Sequence, residues 1–402
     1  MRPHAYIKHL AANLKKDQDM PFSVFVLAFG AFSLITTEFG IIGMLPQLAE
    51  AFNVSVSTAG WLLGGFALTI AITGPWMTLA FSRLERKLSL SLVLAIFAGS
   101  NVLSLFCETF SWLLFFRILP AFFHPVFWSF AMAAASSTVP EEDSGKAVSI
   151  IFAGLSAGTV LGVPMVSFVS VSHGWQAGYI LFAGLNGAAL IALLLFVPSF
   201  TATRRLTFRT QIWVLKKLKL WWSLAVLFLI MASTFCIYSY FAEYLAVAAG
   251  MEGSMTGLML LVFGIAGFLG TLAAGRFVDR HLNRLVIGFV LILCLTFALI
   301  YGLAHISPAV VALIIIWGTV HSTGFLLGQQ LVNGSASEAP EFANSLFISL
   351  GNAGLTVGTF IGGMTIAENG ARSLPLASII LLAITAAVYF ARPRDRVGVT
   401  GK

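Results

Sequence analysis

The sequence predicts an all-α membrane protein in which twelve transmembrane helices form two pseudo-symmetric six-helix bundles. Three observations carry this. The 402 residues are 58% hydrophobic and only 10% charged, against roughly 25% charged in a soluble domain. Apolar stretches of about twenty residues, the length that crosses a bilayer, recur along the chain. Polar landmarks also repeat at one offset: His124 and His321 lie 197 residues apart, as do Arg83 and Arg280, and Lys87 and Arg284.

The stretches run 22–46, 58–81, 88–107, 111–136, 147–170, 175–197, 221–247, 254–275, 284–305, 308–331, 343–367 and 373–391. At this length only a helix satisfies its own backbone groups in lipid. The polar, basic segment Met1–Asp19 reads as an uncleaved tail, because the apolar run after it is too long for a signal peptide and carries Glu38. With the N-terminus inside, 21 basic residues fall on the inner side and only Arg372 on the outer. That asymmetry predicts both termini in the cytoplasm. The polar connection 198–220 divides the chain into an N-terminal bundle with its tail (1–200), a cytoplasmic linker (201–220) and a C-terminal bundle (221–402).

The net charge of +7 does not indicate a nucleic-acid partner, since the basic residues are spread over short loops and form no patch with exposed aromatics. Cys107, Cys236 and Cys294 lie in apolar segments without metal-type spacing and read as free thiols. The expected partners are a small-molecule substrate, protons and membrane lipids.

Of the 16 acidic residues, only Glu38 and Glu243 fall inside spans. A charged carboxylate at that depth costs several kcal/mol, so it is usually neutral, paired or facing a wet cavity. Glu38, in span 1, therefore reads either as a protonatable coupling site or as an acid that satisfies a neighbouring helix. Glu243, toward the outer end of span 7, could serve coupling or substrate, or reach the interface.

His124 sits near the middle of span 4 in Phe122-Phe123-His124-Pro125-Val126-Phe127-Trp128, with His321 as its repeat mate in span 10. A lone histidine in an apolar helix is more often a packing residue, but equivalent positions in two pseudo-symmetric halves face one axis, which raises the odds of proton relay or substrate contact. Neither has a second ligand at i±3 or i±4, so no metal site is expected. Arg117, two turns into span 4, is always charged and needs an acidic or carbonyl partner; Glu38 is the expected one, and a snorkelling anchor is the alternative. At the 197 offset Glu38 maps onto Phe235 and Arg117 onto Ile314, which puts the proton chemistry in the first half.

Gly154, Gly158 and Gly162 match Gly354, Gly358 and Gly362 at an offset of 200. Small residues four apart let helices approach closely, and this face, ending at Pro164, is expected to be where the halves meet and slide. The loops bearing Arg83, Arg86 and Lys87, and Asp279, Arg280 and Arg284, mark topology and are candidate inner gates. Phe123, Phe127, Trp128, Tyr240, Asn352, Gln329 and Gln330 are candidate cavity-lining residues, with Glu38, Glu243 and both histidines among the substrate contacts.

These motifs resemble the major facilitator superfamily, in its twelve-span drug:proton antiporter group, over nearly the whole chain. Arg83, Arg86 and Lys87 match its signature loop after span 2, with Ser82 where the family has Asp; the copy after span 8 keeps Gly275, Asp279, Arg280 and Arg284. Arg117 matches the family's span-4 arginine, and Gly154, Gly158, Gly162 and Pro164 resemble its span-5 antiporter motif, which implies export. Thr37-Glu38-Phe39, with His124 followed by Phe127-Trp128, resembles bacterial sugar-efflux and arabinose-efflux transporters.

The expectation is a monomeric, proton-coupled exporter of a sugar or amphipathic drug in a bacterial inner membrane. Glu38 would carry the proton, Arg117 modulate it, and His124 relay it or touch substrate. The proton gradient would be the energy source and no cofactor is needed. A uniporter, a proton-coupled importer and a purine or nucleoside exporter stay open. No nucleophile–base pair or phosphate-binding motif supports an enzyme.

Overall fold

The computed structural model describes residues 20–81, 84–199 and 212–392. Twelve helices among them are long and apolar enough to cross a membrane. They are Phe22–Ala51, Val56–Gly74, Arg86–Ser104, Phe110–Ser137, Glu141–His173 and Trp175–Phe196 in the first half. In the second half they are Leu218–Tyr238, Ser254–Gly275, Val278–Leu303, Ser307–Ser335, Phe342–Asn369 and Ala371–Ala391. They are numbered here as spans 1 to 12. Because each half has six spans, the span ends Phe22, Phe196, Leu218 and Ala391 share one face. That face is called the linker face below and its opposite the distal face.

The sequence periods locate the spans but not their interruptions. Span 1 loosens into a 3-10 turn at Ile41–Met44 before resuming as Leu45–Ala51. Span 7 ends at Tyr238, and Tyr240 (φ −115°, ψ 29°) starts a separate helix, Phe241–Ala249. The stretch expected as one helix over 221–247 is therefore two. Span 5 carries a π turn at Gly158–Gly162, just before Pro164. Proline brings no N–H to the ladder and crowds the turn before it, and a π turn absorbs that locally. Span 11 has Met364 at the matching position and runs unbroken as Pro340–Asn369.

Within the first half, span 1 packs against spans 5 and 6, and span 6 against span 3. Within the second, span 7 packs against spans 10, 11 and 12. The halves meet through span 2 against span 11, span 5 against span 8, and the end of span 1 against Phe241–Ala249. These contacts concentrate toward the distal face. There Thr356 Oγ1 donates to the Gly64 carbonyl at 3.2 Å, and Tyr240 lies between Gly60 and Gly363. The linker-side segments His124–Ser137, Ser144–Ala157 and Thr323–Ser335 make their principal contacts inside their own halves. Among the described residues the halves are thus joined mainly toward the distal face.

The glycine ladders correct one expectation. A Cβ on Gly154 would strike the Ala28 carbonyl, one on Gly158 would lie 2.9 Å from the Phe32 carbonyl, and one on Gly162 would strike Thr36. Gly354, Gly358 and Gly362 meet Phe228, Ala232 and Cys236 in the same way. Each ladder seats span 5 on span 1, or span 11 on span 7, inside one half. They are not the surface on which the halves slide.

Candidate functional site

Span 4 builds the site. It runs as Phe110–Ala121, turns through Phe122 and Phe123, and resumes as His124–Ser137. Pro125 is the cause: it has no N–H for the Ala121 carbonyl and its ring crowds that turn. His124 therefore stands at the break, 5% exposed. His321 occupies the same place in span 10, at the end of Ser307–His321. Ser322 replaces the proline there and keeps helical angles (φ −66°, ψ −23°), so the interruption is gentler.

From span 1, Glu38 Oε2 lies 3.1 Å from His124 Nε2, and both side chains are nearly sealed from solvent. The imidazole is boxed by Phe66 at 5.8 Å, Phe97 at 6.3 Å and Trp128 at 6.0 Å between ring centroids. An isolated charge in such a box is costly, whereas a carboxyl and an imidazole that share one proton remain neutral or paired. Trp128 Nε1 also donates to His124 Nε2, at 2.9 Å. His124 Nδ1 has no hydrogen-bond partner among the described residues.

Arg117 does not form the expected ion pair with the Glu38 side chain. Its Nη2 donates to the Glu38 backbone carbonyl at 2.7 Å and its Nε to the Leu62 carbonyl at 3.2 Å. Its guanidinium lies over the Phe66 ring, 4.9 Å from the centroid. The side chain pins spans 1, 2 and 4 together around the carboxyl rather than neutralising it. Both carbonyls lie near helix irregularities, after Gly60 in span 2 and before Ile41 in span 1, where a cationic fork finds acceptors.

Sequence reasoning missed Asn186 in span 6. Its Nδ2 donates to Thr37 Oγ1 at 2.7 Å and to the Phe182 carbonyl at 2.8 Å, and Ser33 donates to its Oδ1 at 3.3 Å. This network fixes the turn of span 1 that carries Glu38. The signal was available, since Asn186 is the one amide in the interior of an otherwise apolar span whose only other amide, Gln176, sits at its end.

The glycine contacts also revise the repeat map. Ala28, Phe32 and Thr36 correspond to Phe228, Ala232 and Cys236, an offset of 200 for spans 1 and 7. Glu38 therefore maps onto Tyr238, not Phe235. Tyr238 packs its ring 4.7 Å from that of His321, within a cluster of Phe235, Phe263 and Trp317. The first half pairs its histidine with an acid and the second with an aromatic. Phe39 and Phe235 stack across the halves at 5.9 Å, next to both pairs.

The other candidates scatter. Phe127 is fully buried against Gly30 of span 1 and lines no opening. Phe123, partly exposed, packs edge-on against Phe81 at 5.8 Å. Tyr240 donates to the Thr359 carbonyl at 3.0 Å in the distal closure, where a cavity of about 50 Å³ also involves Trp61 and Phe360. Glu243 lies partly exposed on the short distal helix, apart from Glu38. Asn352 bonds back to the Ile348 carbonyl at 3.0 Å. Arg83 falls outside the described residues. Arg86 reaches Ser137 at 3.4 Å and Lys87 the Leu194 carbonyl at 2.9 Å. Asp279, Arg280 and Arg284 stand exposed at the start of span 9. Among the described residues no group of three His, Cys, Asp or Glu side chains could hold a metal ion.

Two six-helix bundles, joined mainly toward one face around a buried carboxyl–imidazole pair, define a transporter of small molecules that works between two halves. The Major Facilitator Superfamily profile matches residues 27–341 and again 223–401, and the chain belongs to that superfamily. It is 28% identical over 376 residues to the inner membrane transport protein YdhP of Escherichia coli, covering 93% of this chain and 97% of that protein. It is 26% identical to a probable sugar efflux transporter of Mannheimia succiniciproducens, covering 90% of this chain and 92% of the relative. A bacterial homologue of the human lysosomal transporter Spinster, in an inward-facing and occupied conformation, superposes with a TM-score of 0.74 at 16% identity. That match covers 92% of this chain and 96% of the other. The nucleoside transporter NupG superposes at 0.71 with 14% identity, over 93% and 98%. At these identities the two structures speak for the fold alone.

Proposed function

We propose that the chain exports a small molecule across a bacterial inner membrane in exchange for protons, by alternating access. The observation that carries this is the contact of Glu38 with His124, a buried carboxyl and imidazole able to hold one proton between them in the middle of the bundle. In the outward-open form the pair takes up a proton. In the inward-open form it releases that proton to the cytoplasm as substrate loads. The positive-inside asymmetry of the loops supports a cytoplasmic linker face, the side from which substrate would load.

Each proton moved inward gains about 2.3 kcal/mol per 100 mV. At about 1.4 kcal/mol per tenfold, this supports roughly forty-fold accumulation before any pH gradient is added. A sugar or an amphipathic drug is the proposed substrate class, and the relative named as a probable sugar efflux transporter favours the sugar. The protein would act as a monomer, without a cofactor.

Proteoliposomes preloaded with candidate pentoses, hexoses and lipophilic drugs test the reading. An imposed proton gradient should accelerate flux of one class against the direction of proton flow. Flux that ignores the gradient for every transported compound would mark a uniporter instead.

A further inference from the structure

We propose that Trp128 is a proton-sensitive latch on His124, bonded to its Nε2 only while that nitrogen carries no proton. This rests on the reading of Glu38 and His124 as the proton site and extends it to a residue that carries no proton itself. Two groups compete for one ring nitrogen: Trp128 Nε1 at 2.9 Å and Glu38 Oε2 at 3.1 Å. An indole N–H can only donate, and an imidazole nitrogen offers either one lone pair or one N–H. With Trp128 bonded, Nε2 is an acceptor and the ring proton sits on Nδ1. Its one lone pair is then taken, so a protonated Glu38 carboxyl lies against the nitrogen but donates to it only when the Trp128 bond breaks.

When the proton leaves the carboxyl for Nε2, the N–H of Nε2 donates to the carboxylate and Trp128 loses its acceptor. No atom is created or lost: the O–H bond on Glu38 breaks and an N–H bond on His124 forms. The Trp128 bond and a proton on Nε2 exclude each other, so the indole biases the shared proton toward Glu38.

Trp128 lies one helical turn from His124 toward the linker face, the side that the proposed function places in the cytoplasm. Its release therefore occurs on the side from which the proton would leave. The charged or titratable groups around the ring are Glu38 from span 1 and Arg117 from span 4 itself. Tyr179 of span 6 interacts electrostatically with Arg117. Spans 2 and 3 present only Phe66 and Phe97 to the imidazole.

The test uses the full chain in lipid nanodiscs, with no gradient and no substrate. Ultraviolet resonance Raman spectra of the indole N–H are followed from pH 5 to pH 9 in the wild type and in Trp128→Phe, Glu38→Gln and His124→Gln. The latch predicts one indole whose N–H bonding changes with pH, absent in Trp128→Phe and pH-independent in Glu38→Gln and His124→Gln. In transport, Trp128→Phe should shift the pH profile upward by about half to one unit, the size expected for losing one neutral hydrogen bond. A wild-type spectrum without a pH-dependent indole overturns the latch, as does an unmoved Trp128→Phe profile. If the indole titrates but flux ignores the proton gradient, the antiport reading fails and the latch stands.

Discussion

Glu38 Oε2 lies 3.1 Å from His124 Nε2, while the equivalent place in the second half holds Tyr238 against His321. A duplicated scaffold thus carries a carboxyl–imidazole pair on one side only. Under the proposed function one half responds to protons while its copy supplies an aromatic wall, with Phe39 and Phe235 stacked between them.

The guanidinium of Arg117 is a fastener in this account. Arg117→Ala would leave the Glu38 and Leu62 carbonyls without their donor at a buried site, at about 1–3 kcal/mol each. Thermal unfolding in detergent should therefore drop by several degrees. Arg117→Lys should recover part of the loss, since an ammonium reaches one carbonyl but not both in the same fork geometry.

The glycine ladders predict a graded packing series. Gly154→Ala and Gly358→Ala each drive a methyl into a backbone carbonyl, of Ala28 and Ala232 respectively, and should destabilise by about 1–3 kcal/mol. Gly184→Ala, with nothing within 4 Å of the added carbon, should be neutral. Thermostability of the three purified variants checks the order.

The distal closure can be locked. A Cβ on Gly363 would lie 2.8 Å from Ser57 Oγ and 3.6 Å from its Cα, within reach of a disulfide between spans 2 and 11 once the Tyr240 hydroxyl, 2.7 Å away, gives way. In a background with Cys107, Cys236 and Cys294 replaced by serine, the pair Ser57→Cys and Gly363→Cys should stop transport on oxidation. Reductant should restore it. Full transport by the oxidised, cross-linked protein would mean that this face never opens.

The membrane spans were legible because hydrophobicity over about twenty residues is a strong signal. Glu38, His124 and Arg117 were legible one by one, since each is a lone polar residue in an apolar run. Their pairing was not. Glu38 and Arg117 looked like natural partners by charge, but carbonyls at nearby helix irregularities take the Nε and Nη2 donors of the guanidinium. His124 was free to meet Glu38 because Pro125 breaks span 4 at that point. The single offset of 197 mapped Glu38 onto Phe235, whereas the glycine contacts place Tyr238 there. A loop-length difference between the first two spans of each half is invisible to pattern matching anchored on later spans. Asn186 was passed over because one amide in a long apolar span carries no spacing to mark it.

The central claim is that Glu38, with His124, carries the coupled proton. Its most direct measurement is substrate-evoked proton movement in proteoliposomes, read with an entrapped pH dye, for wild type and Glu38→Gln. The account predicts proton movement with substrate flux in the wild type. Glu38→Gln, folded and inserted, should show none, while still exchanging substrate down its own gradient. Proton movement by Glu38→Gln equal to the wild type would contradict it.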